Sequence, residues 1–400
     1  MAVVVEQRPA SAEQLCELVR EGSDASLRFV GVGTKPLLAP PAGNAVTVVM
    51  GTLRGITEYR PSEFTLSALA GTPLTEISDA LAENGQFLPF DPPLVRAGAT
   101  LGGAIASGLA GPGRMHWGGV RDYVLEVRCV DGLGRLVRGG GRVVKNAAGF
   151  DLPKLMVGAG GRLGPLVEVT LKIFPRPLAR HTVAVDLAGP APRSALELVG
   201  ACREDAIACE ALEIELLGAD RCRGWLRLAG AEHAVAERTR RAVGGLRARY
   251  GAAAAEACGE DVEGDGSRGA PWRRLEDWSW VPPGAVAVRA PSSLRATEAL
   301  VERCWRPGEP GWIGAGGQQL LLALSPQRLS ELWSGGDELT ARLQPVRGAD
   351  PWPAGAPRPD GVAPAARALH EAARSALDTN GSLARGGTRD EGEGKRERGG

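Results

Sequence analysis

Between Thr100 and Gly113 the chain reads T-L-G-G-A-I-A-S-G-L-A-G-P-G. Thr100 can cap a helix, but the turns that follow hold only small residues at 102, 103, 104, 106, 107 and 108. Glycine inside a helix costs about 1 kcal/mol relative to alanine. A helix built this way needs room beside it, either for close packing against a neighbour or for a phosphate or flavin approaching its first turn.

Four other segments are unusually small or glycine-rich. Gly31-x-Gly33-Thr34-Lys35 follows an apolar strand pattern, Leu27 to Val32. Its bare backbone amides can cradle a pyrophosphate, with Thr34 and Lys35 as added donors; an ordinary tight turn fits the same glycines. It is not a dinucleotide fingerprint of the βαβ kind, because a third glycine is missing and Pro36 stands where the helix should begin. The others are Gly118-Gly119-Val120-Arg121-Asp122, Lys145-Asn146-Ala147-Ala148-Gly149-Phe150-Asp151-Leu152, and Gly158-Ala159-Gly160-Gly161-Arg162-Leu163-Gly164. Each taken singly reads as a turn, and Asp151 reads as the cap of a short helix to Met156.

Around them the periodicity predicts an α+β chain. Ser11-x-x-Gln14 is a capping box for a helix through Val19. Strands are expected at Leu27 to Val32, Val46 to Met50, around Phe64, Leu66 and Ala68, and at Leu166 to Phe174. Thr72-Pro73 opens a helix that Gly85 stops. Asp131-Gly132 turns a hairpin whose first strand carries Leu125, Val127 and Cys129, the last read as a reduced core thiol. Pro175 and Pro177 place a first boundary near residue 178. From 179 to 383, strands and helices alternate, with the helix Glu232 to Tyr250 the longest. After a Gly- and acid-rich loop from Cys258 to Gly269, the same order recurs through Val286 to Val288, Ala296 to Cys304, Leu320 to Leu324 and Leu329 to Trp333. This predicts an α+β domain with an antiparallel sheet. Pro351 to Pro364 is a Pro-rich linker, Arg367 to Leu377 a last helix, and 384–400 a disordered tail.

Composition narrows the function classes. Lys plus Arg and Asp plus Glu are 47 each, so no global field selects nucleic acid. The seven cysteines form no C-x-x-C pair, which leaves neither zinc nor an iron–sulfur cluster a ligand set and suits a reducing cytoplasm. No apolar run nears the ~18 residues of a membrane span, and Glu6 spoils a signal peptide. Trp272, Trp278 and Trp280 read either as anchors of a partner surface or as a tryptophan-rich core.

Taken together, the segments are specific. Their order is the Gly-loop, P-P-x-x-x-x-G-A-T-L-G-G-x-I-A-S-G, G-x-x-R-D, K-N-x-A-G-x-D-L and G-x-x-G-x-L-G. This resembles the FAD-binding PCMH-type domain of the vanillyl-alcohol oxidase family. Gly108 to Arg114 with Val144 to Leu152 are similar to the FAD-binding subunits of bacterial glycolate oxidases within it. The resemblance is strong over roughly residues 25 to 180. It implies a two-lobed domain, 1–178, holding FAD through Gly31, Gly33, Thr34, Lys35, Thr100, Leu101, Gly102, Gly103, Ser107 and Gly108, with Val167 at the adenine end. It implies oxidation of glycolate to glyoxylate, shared with a homologous FAD-containing catalytic subunit and an iron–sulfur subunit. It also implies a cytoplasmic chain that meets the inner face of the membrane only through partners. Two other classes stay open: a self-sufficient FAD-dependent 2-hydroxy-acid dehydrogenase, and an assembly subunit with a vestigial flavin site.

Three departures from the family bear on this. No histidine lies in residues 29–38, so FAD is expected to be non-covalent. His181, His233 and His370 are singletons rather than a metal-binding cluster, and each reads as a solvated or core histidine. The C-terminal pattern D-P-x-G-x-F-N-P-G-R is replaced by Asp378-Thr379-Asn380-Gly381-Ser382-Leu383-Ala384-Arg385-Gly386-Gly387. His116, with Arg114 and Trp117, is the one local group resembling a substrate-facing set, but a structural loop histidine is the better reading of it, and no catalytic residue is assigned.

Overall fold

In a computed structural model of the chain, residues 6–22, 27–38, 45–141, 151–260 and 271–348 are described, with residues 372 and 375–377. The motif at 145–150, the loop at 261–269 and the linker and tail beyond 377 lie outside the described residues.

The first lobe is small. Strands β1 (Glu6–Gln7), β2 (Leu27–Val30) and β3 (Val46–Val49) pair in parallel in the order β1-β3-β2. Helix α1 (Ala12–Glu21) packs Leu15, Cys16 and Val19 onto Leu27 and Val48. Ser11 caps it by accepting from the Gln14 amide, while Gln14 Oε1 accepts from Ala10 N at 2.8 Å.

The second lobe is built on a five-stranded antiparallel sheet. Its strands are β4 (Ile56–Arg60), β5 (Thr65–Leu69), β7 (Val124–Val130), β8 (Leu136–Gly140) and β9 (Leu166–Lys172), in the order β4-β5-β9-β7-β8. Between β5 and β7 run α2 (Leu74–Ala82), β6 (Gln86–Phe87), α3 (Leu101–Ser107) and α4 (Arg114–Trp117). Helix α5 (Leu152–Met156) precedes β9, with Asp151 accepting from Lys154 N. Strand β10 (Phe174–Pro175) closes the lobe against β6. Two expectations change here. Strand β4 was not foreseen, and Thr72 does not cap α2. The Thr72 hydroxyl is buried and instead accepts from Gly55 N at 2.9 Å, stapling the β4 entry. Pro73 holds the cap position with no side-chain bond.

Beyond Ala179 the chain twice repeats one unit, strand–helix–strand–strand–helix–strand. The first copy is β11 (Ala179–Ala188), α6 (Ala191–Glu204), β12 (Ala211–Gly218), β13 (Arg221–Gly230), α7 (Glu232–Tyr250) and β14 (Ala255–Glu260). After α8 (Pro271–Asp277) come β15 (Val286–Pro291), α9 (Leu294–Cys304), β16 (Gly311–Gly314), β17 (Gln319–Leu324), α10 (Pro326–Ser334) and β18 (Gln344–Arg347). The eight strands form one antiparallel sheet, β14-β11-β13-β12-β16-β17-β15-β18, in which the second copy mirrors the order of the first and β12 meets β16 at the seam. Side chains alternate between the faces. Leu212, Ile214, Leu226, Val288 and Leu322 pack under the helices. Trp225, Trp312, Leu321 and Ala323 take the other face, where Trp272 and Trp280 cover them.

The two parts share apolar and polar contacts. Trp278, Ala287 and Val346 belong to the core that fills the second lobe, and Leu94 N donates to Glu276 O at 2.7 Å. Trp272, Trp278 and Trp280 are all buried. The idea that they anchor a partner surface is therefore corrected: they fill the sheet's inner face, as large aromatics usually do. Among the described residues no helix is long and apolar enough to cross a membrane. The cysteines at 16, 129, 202, 209, 222 and 304 are buried free thiols, and Cys258 on β14 is exposed.

Candidate functional site

A cleft opens between the two N-terminal lobes. Three segments wall it, and each is positioned by its own chain chemistry. The first is the loop after β2, from Gly31 to Pro36. Gly33 lies at φ +75° with nothing within 4 Å of where a Cβ would stand, so the backbone is bare toward the cleft. Gly31 is bare for another reason: a Cβ there would overlap the Thr100 hydroxyl.

The second wall is α3. Thr100 accepts from Gly103 N at 3.3 Å and caps the helix. The two glycines that follow do different work. A Cβ on Gly102 would meet Ala70 Cβ at 2.8 Å and Ala70 O at 3.0 Å, so Gly102 permits close packing on the residue that follows β5. A Cβ on Gly103 would meet only Thr100 Oγ1, at 3.1 Å, and would otherwise stand in the cleft. Ala106 and Ser107 continue the wall. The third wall is the segment from Met156 to Leu166. Gly158 N donates to Ile105 O at 3.0 Å and Gly160 N to Ala106 O at 2.8 Å, which ties it to α3. Gly160 and Gly161 sit at φ +61° and +78°, left-handed backbone that favours glycine.

Of the residues expected to hold FAD, the structure brings Gly31, Gly33, Thr34, Lys35, Thr100, Gly102, Gly103 and Ser107 to this cleft. It does not bring Leu101, Gly108 or Val167 to the lining. Leu101 is buried in the second-lobe core. Gly108 ends α3 at φ +61°, packed against Gly158. Val167 faces the α1 core, while Pro165 and Leu166 line the cleft in its place. Gly160 and Gly161 also line the cleft, and their signal is the G-x-x-G-x-L-G segment itself.

Lys35 and Arg28 are cations of the cleft lining, and Lys35 stands on the glycine loop itself. It is half-buried, and its Nζ donates to Thr34 Oγ1 at 3.3 Å. Burial, with the nearby charge of Arg347, lowers its pKa to about 8. The charged form predominates below that pH and is the form that attracts a pyrophosphate. FAD affinity is therefore expected to be flat up to neutral pH and to weaken above pH ~8, by at most tenfold per unit. Flavin titrations across pH 6–10 check this. Lys35→Met should bind more weakly at pH 7 and show no such fall.

His116 is exposed on α4, edge-on to Trp117 at 4.7 Å between centroids, and does not line this cleft. His181 lies against Thr239, with Oγ1 and Nδ1 3.3 Å apart, and His233 is exposed on α7. His370 lies outside the described residues.

Behind α4 a buried ion network joins the two parts of the chain. Glu210 Oε2 accepts from Arg180 Nε at 2.9 Å, Glu210 Oε1 from Arg180 Nη2 at 2.9 Å and from Trp117 Nε1 at 2.8 Å. Arg227 Nε lies 2.6 Å from Glu210 Oε2, and its Nη2 donates to Asp91 Oδ2 at 2.6 Å. Asp91 Oδ2 also accepts from Gly113 N at 2.9 Å. Burial pushes the Glu210 pKa up, but Arg227 and Arg180 outweigh it, so the carboxyl is held below its usual range.

Two lobes, a glycine-walled cleft and a following antiparallel sheet suit an FAD-binding protein. Residues 3–140 match the family model described as "FAD binding domain". Glycolate oxidase subunit GlcE of Escherichia coli is 46% identical over 149 residues, 37% of this chain and 42% of that protein. D-2-hydroxyglutarate dehydrogenase of Xanthomonas citri pv. viticola is 30% identical over 172 residues, 42% of this chain and 36% of its own length. These matches thus span less than half the length of either relative. Among solved structures, alkyldihydroxyacetonephosphate synthase superposes with a TM-score of 0.62 at 15% identity, over 94% of this chain and 75% of that one, which speaks for the fold alone.

Proposed function

We propose that this chain is the FAD-binding subunit of an enzyme that oxidises a small 2-hydroxy acid, glycolate to glyoxylate, and passes the electrons to partner subunits. The observation that carries the reading is the cleft, in which three glycine segments far apart in sequence leave bare backbone beside Lys35 and Arg28. Gly31, Gly33, Thr34 and Lys35 with Thr100, Gly103 and Ser107 would hold the dinucleotide, and Gly160 and Gly161 would face it. Bound FAD supplies a hydride acceptor. The likeness to GlcE supports glycolate as the substrate. A relative named glycolate oxidase subunit GlcD, from Bacillus subtilis, 29% identical over 143 residues, supports a multi-subunit enzyme with a related subunit as partner; that this partner carries flavin belongs to the proposal. An iron–sulfur subunit as electron carrier, and any membrane attachment through such partners, belong to the same proposal.

The first test is the attachment of the flavin. No histidine stands in the Gly31 loop, so acid precipitation is expected to release all the flavin into the supernatant. Yellow colour left on the polypeptide would sink non-covalent binding. The second is activity. The purified chain alone should reduce an artificial acceptor with glycolate poorly, and its co-purified complex well; equal rates would restore the self-sufficient dehydrogenase.

A further inference from the structure

The glycine loop that walls the cleft is held from behind. Lys35 O accepts from Leu38 N at 3.3 Å, which closes a single 3-10 turn, Pro36–Leu38, directly after the loop. The two leucines of the turn go different ways. Leu38 lines the cleft and packs against the core of the second lobe. Leu37 packs against the core that lies under the helices of the eight-stranded sheet. The turn is therefore pinned to both parts of the chain.

The sheet strand that meets this turn is β18. It is the last strand in the sheet order, so one of its sides pairs with no strand. An open edge of that kind needs a cover, and the turn packs on it. The strand ends in Arg347, whose side chain is exposed and makes no ion pair among the described residues.

Like charges meet across this contact. Arg347 is close enough to Lys35 for its charge to act there, and no acid acts on Lys35 in the same way. Lys35 Nζ has the Thr34 hydroxyl as its hydrogen-bond partner. Two cations with no carboxylate between them repel one another, and a doubly charged anion in front of Lys35 turns both toward attraction. The place for such an anion is beside the bare backbone of Gly31 and Gly33, on the cleft side of the loop; Arg347 stands outside the cleft lining.

We infer that Arg347 is a positioning residue for the cofactor: from the edge of the second part's sheet it backs Lys35 and strengthens the glycine loop's hold on the pyrophosphate without lining the cleft. The inference rests on the reading that the cleft takes FAD. It deepens that reading, because the second part of the chain then has a share in binding the cofactor.

The full chain, freed of flavin and titrated with FAD across pH 6–10, tests it. At pH 7 Lys35 is mostly charged, so Arg347→Gln should lose only the added attraction, about 2- to 5-fold in affinity, the scale of an exposed charge. Removing Arg347 also relieves Lys35, whose charge then persists to higher pH. The alkaline fall in affinity should start later than in wild type, and the two curves should converge as pH rises. A merely structural change would weaken binding by one factor at every pH. The other charged groups around Lys35, Arg28 on β2 and Arg162 beside Gly160, are arginines and keep their charge across this range. Arg347→Lys retains the cation and should follow wild type at pH 7. With Lys35→Met already in place, adding Arg347→Gln should cost the same factor at every pH, since no lysine is left there to titrate. Thermal melts of both variants at 347 are expected to match wild type, because that side chain is exposed. Equal affinities of wild type and Arg347→Gln, or a constant ratio between them, overturn the inference while the FAD reading stands. A wild-type chain that takes up no FAD overturns that reading, and this inference with it.

Discussion

Gly103→Val is expected to yield a folded protein that purifies without flavin. The position separates two jobs that the sequence runs together. The protein around Gly103 has space for a Cβ, with only Thr100 Oγ1 at 3.1 Å, and its backbone is helical. Valine is the better helix former of the two, so the fold should change by less than about 1 kcal/mol. The new methyls stand in the cleft, however, where the cofactor must meet the helix. Overpacking costs about 1–3 kcal/mol before any lost contact is counted, which is roughly 5- to 150-fold in affinity. Flavin absorbance per polypeptide and a thermal melt check both halves. Gly102→Val is the contrasting control, because its side chain would drive into Ala70, and it should lose stability along with flavin. Unchanged flavin content in Gly103→Val would show that the cofactor does not pass over this turn.

Glu210→Ala is expected to cost about 3–5 kcal/mol of unfolding free energy, the range for breaking a buried pair by removing one partner. Two acids and two arginines balance one another in the network Asp91–Arg227–Glu210–Arg180. The side chains of Glu210 and Arg227 are 2% and 7% exposed, so water cannot stand in for the missing carboxylate. Trp117 Nε1 would lose its acceptor in the same step. Because the Glu210 pKa is depressed in the folded state, its contribution is complete above the usual carboxylate range and fades as pH falls through and below it. Urea denaturation at pH 7 reads the loss, and a change under 1 kcal/mol would mean that the network is not holding the two parts together.

Local signals carried much of this architecture. Helix α7 runs from Glu232 to Tyr250, the bounds its periodicity gives, and the recurrence after Cys258 is a real second copy of one unit. The pairing of β12 with β16 at the seam was not legible, since it joins residues about a hundred positions apart that share no local pattern. Strand β4 escaped notice because it is an edge strand whose side chains alternate only loosely between exposure and burial.

The cleft was legible where backbone bareness is written as glycine, and misread where the face of a strand decides. Val167 and Leu166 differ by one position, and a one-residue change in a strand moves a side chain to the other side of the sheet. The burial of Glu213 was hidden for a related reason. It alternates with Leu212 and Ile214, which looks like a solvent face until another part of the chain closes over it.

The buried thiols of this fold bear on life beside a redox cofactor. Reduced flavins can give electrons to oxygen, and the peroxide formed attacks thiolates, not thiols. Burial raises Cys129, Cys202 and Cys222 to about 12, and Cys209 and Cys304 to about 11, so each stays protonated and inert. Cys258, at the outer edge of the sheet, is left as the sulfur that solvent reaches. Oxidative damage is thereby steered to the rim, far along the strand order from the seam, and the native sequence already offers a single handle for a maleimide dye.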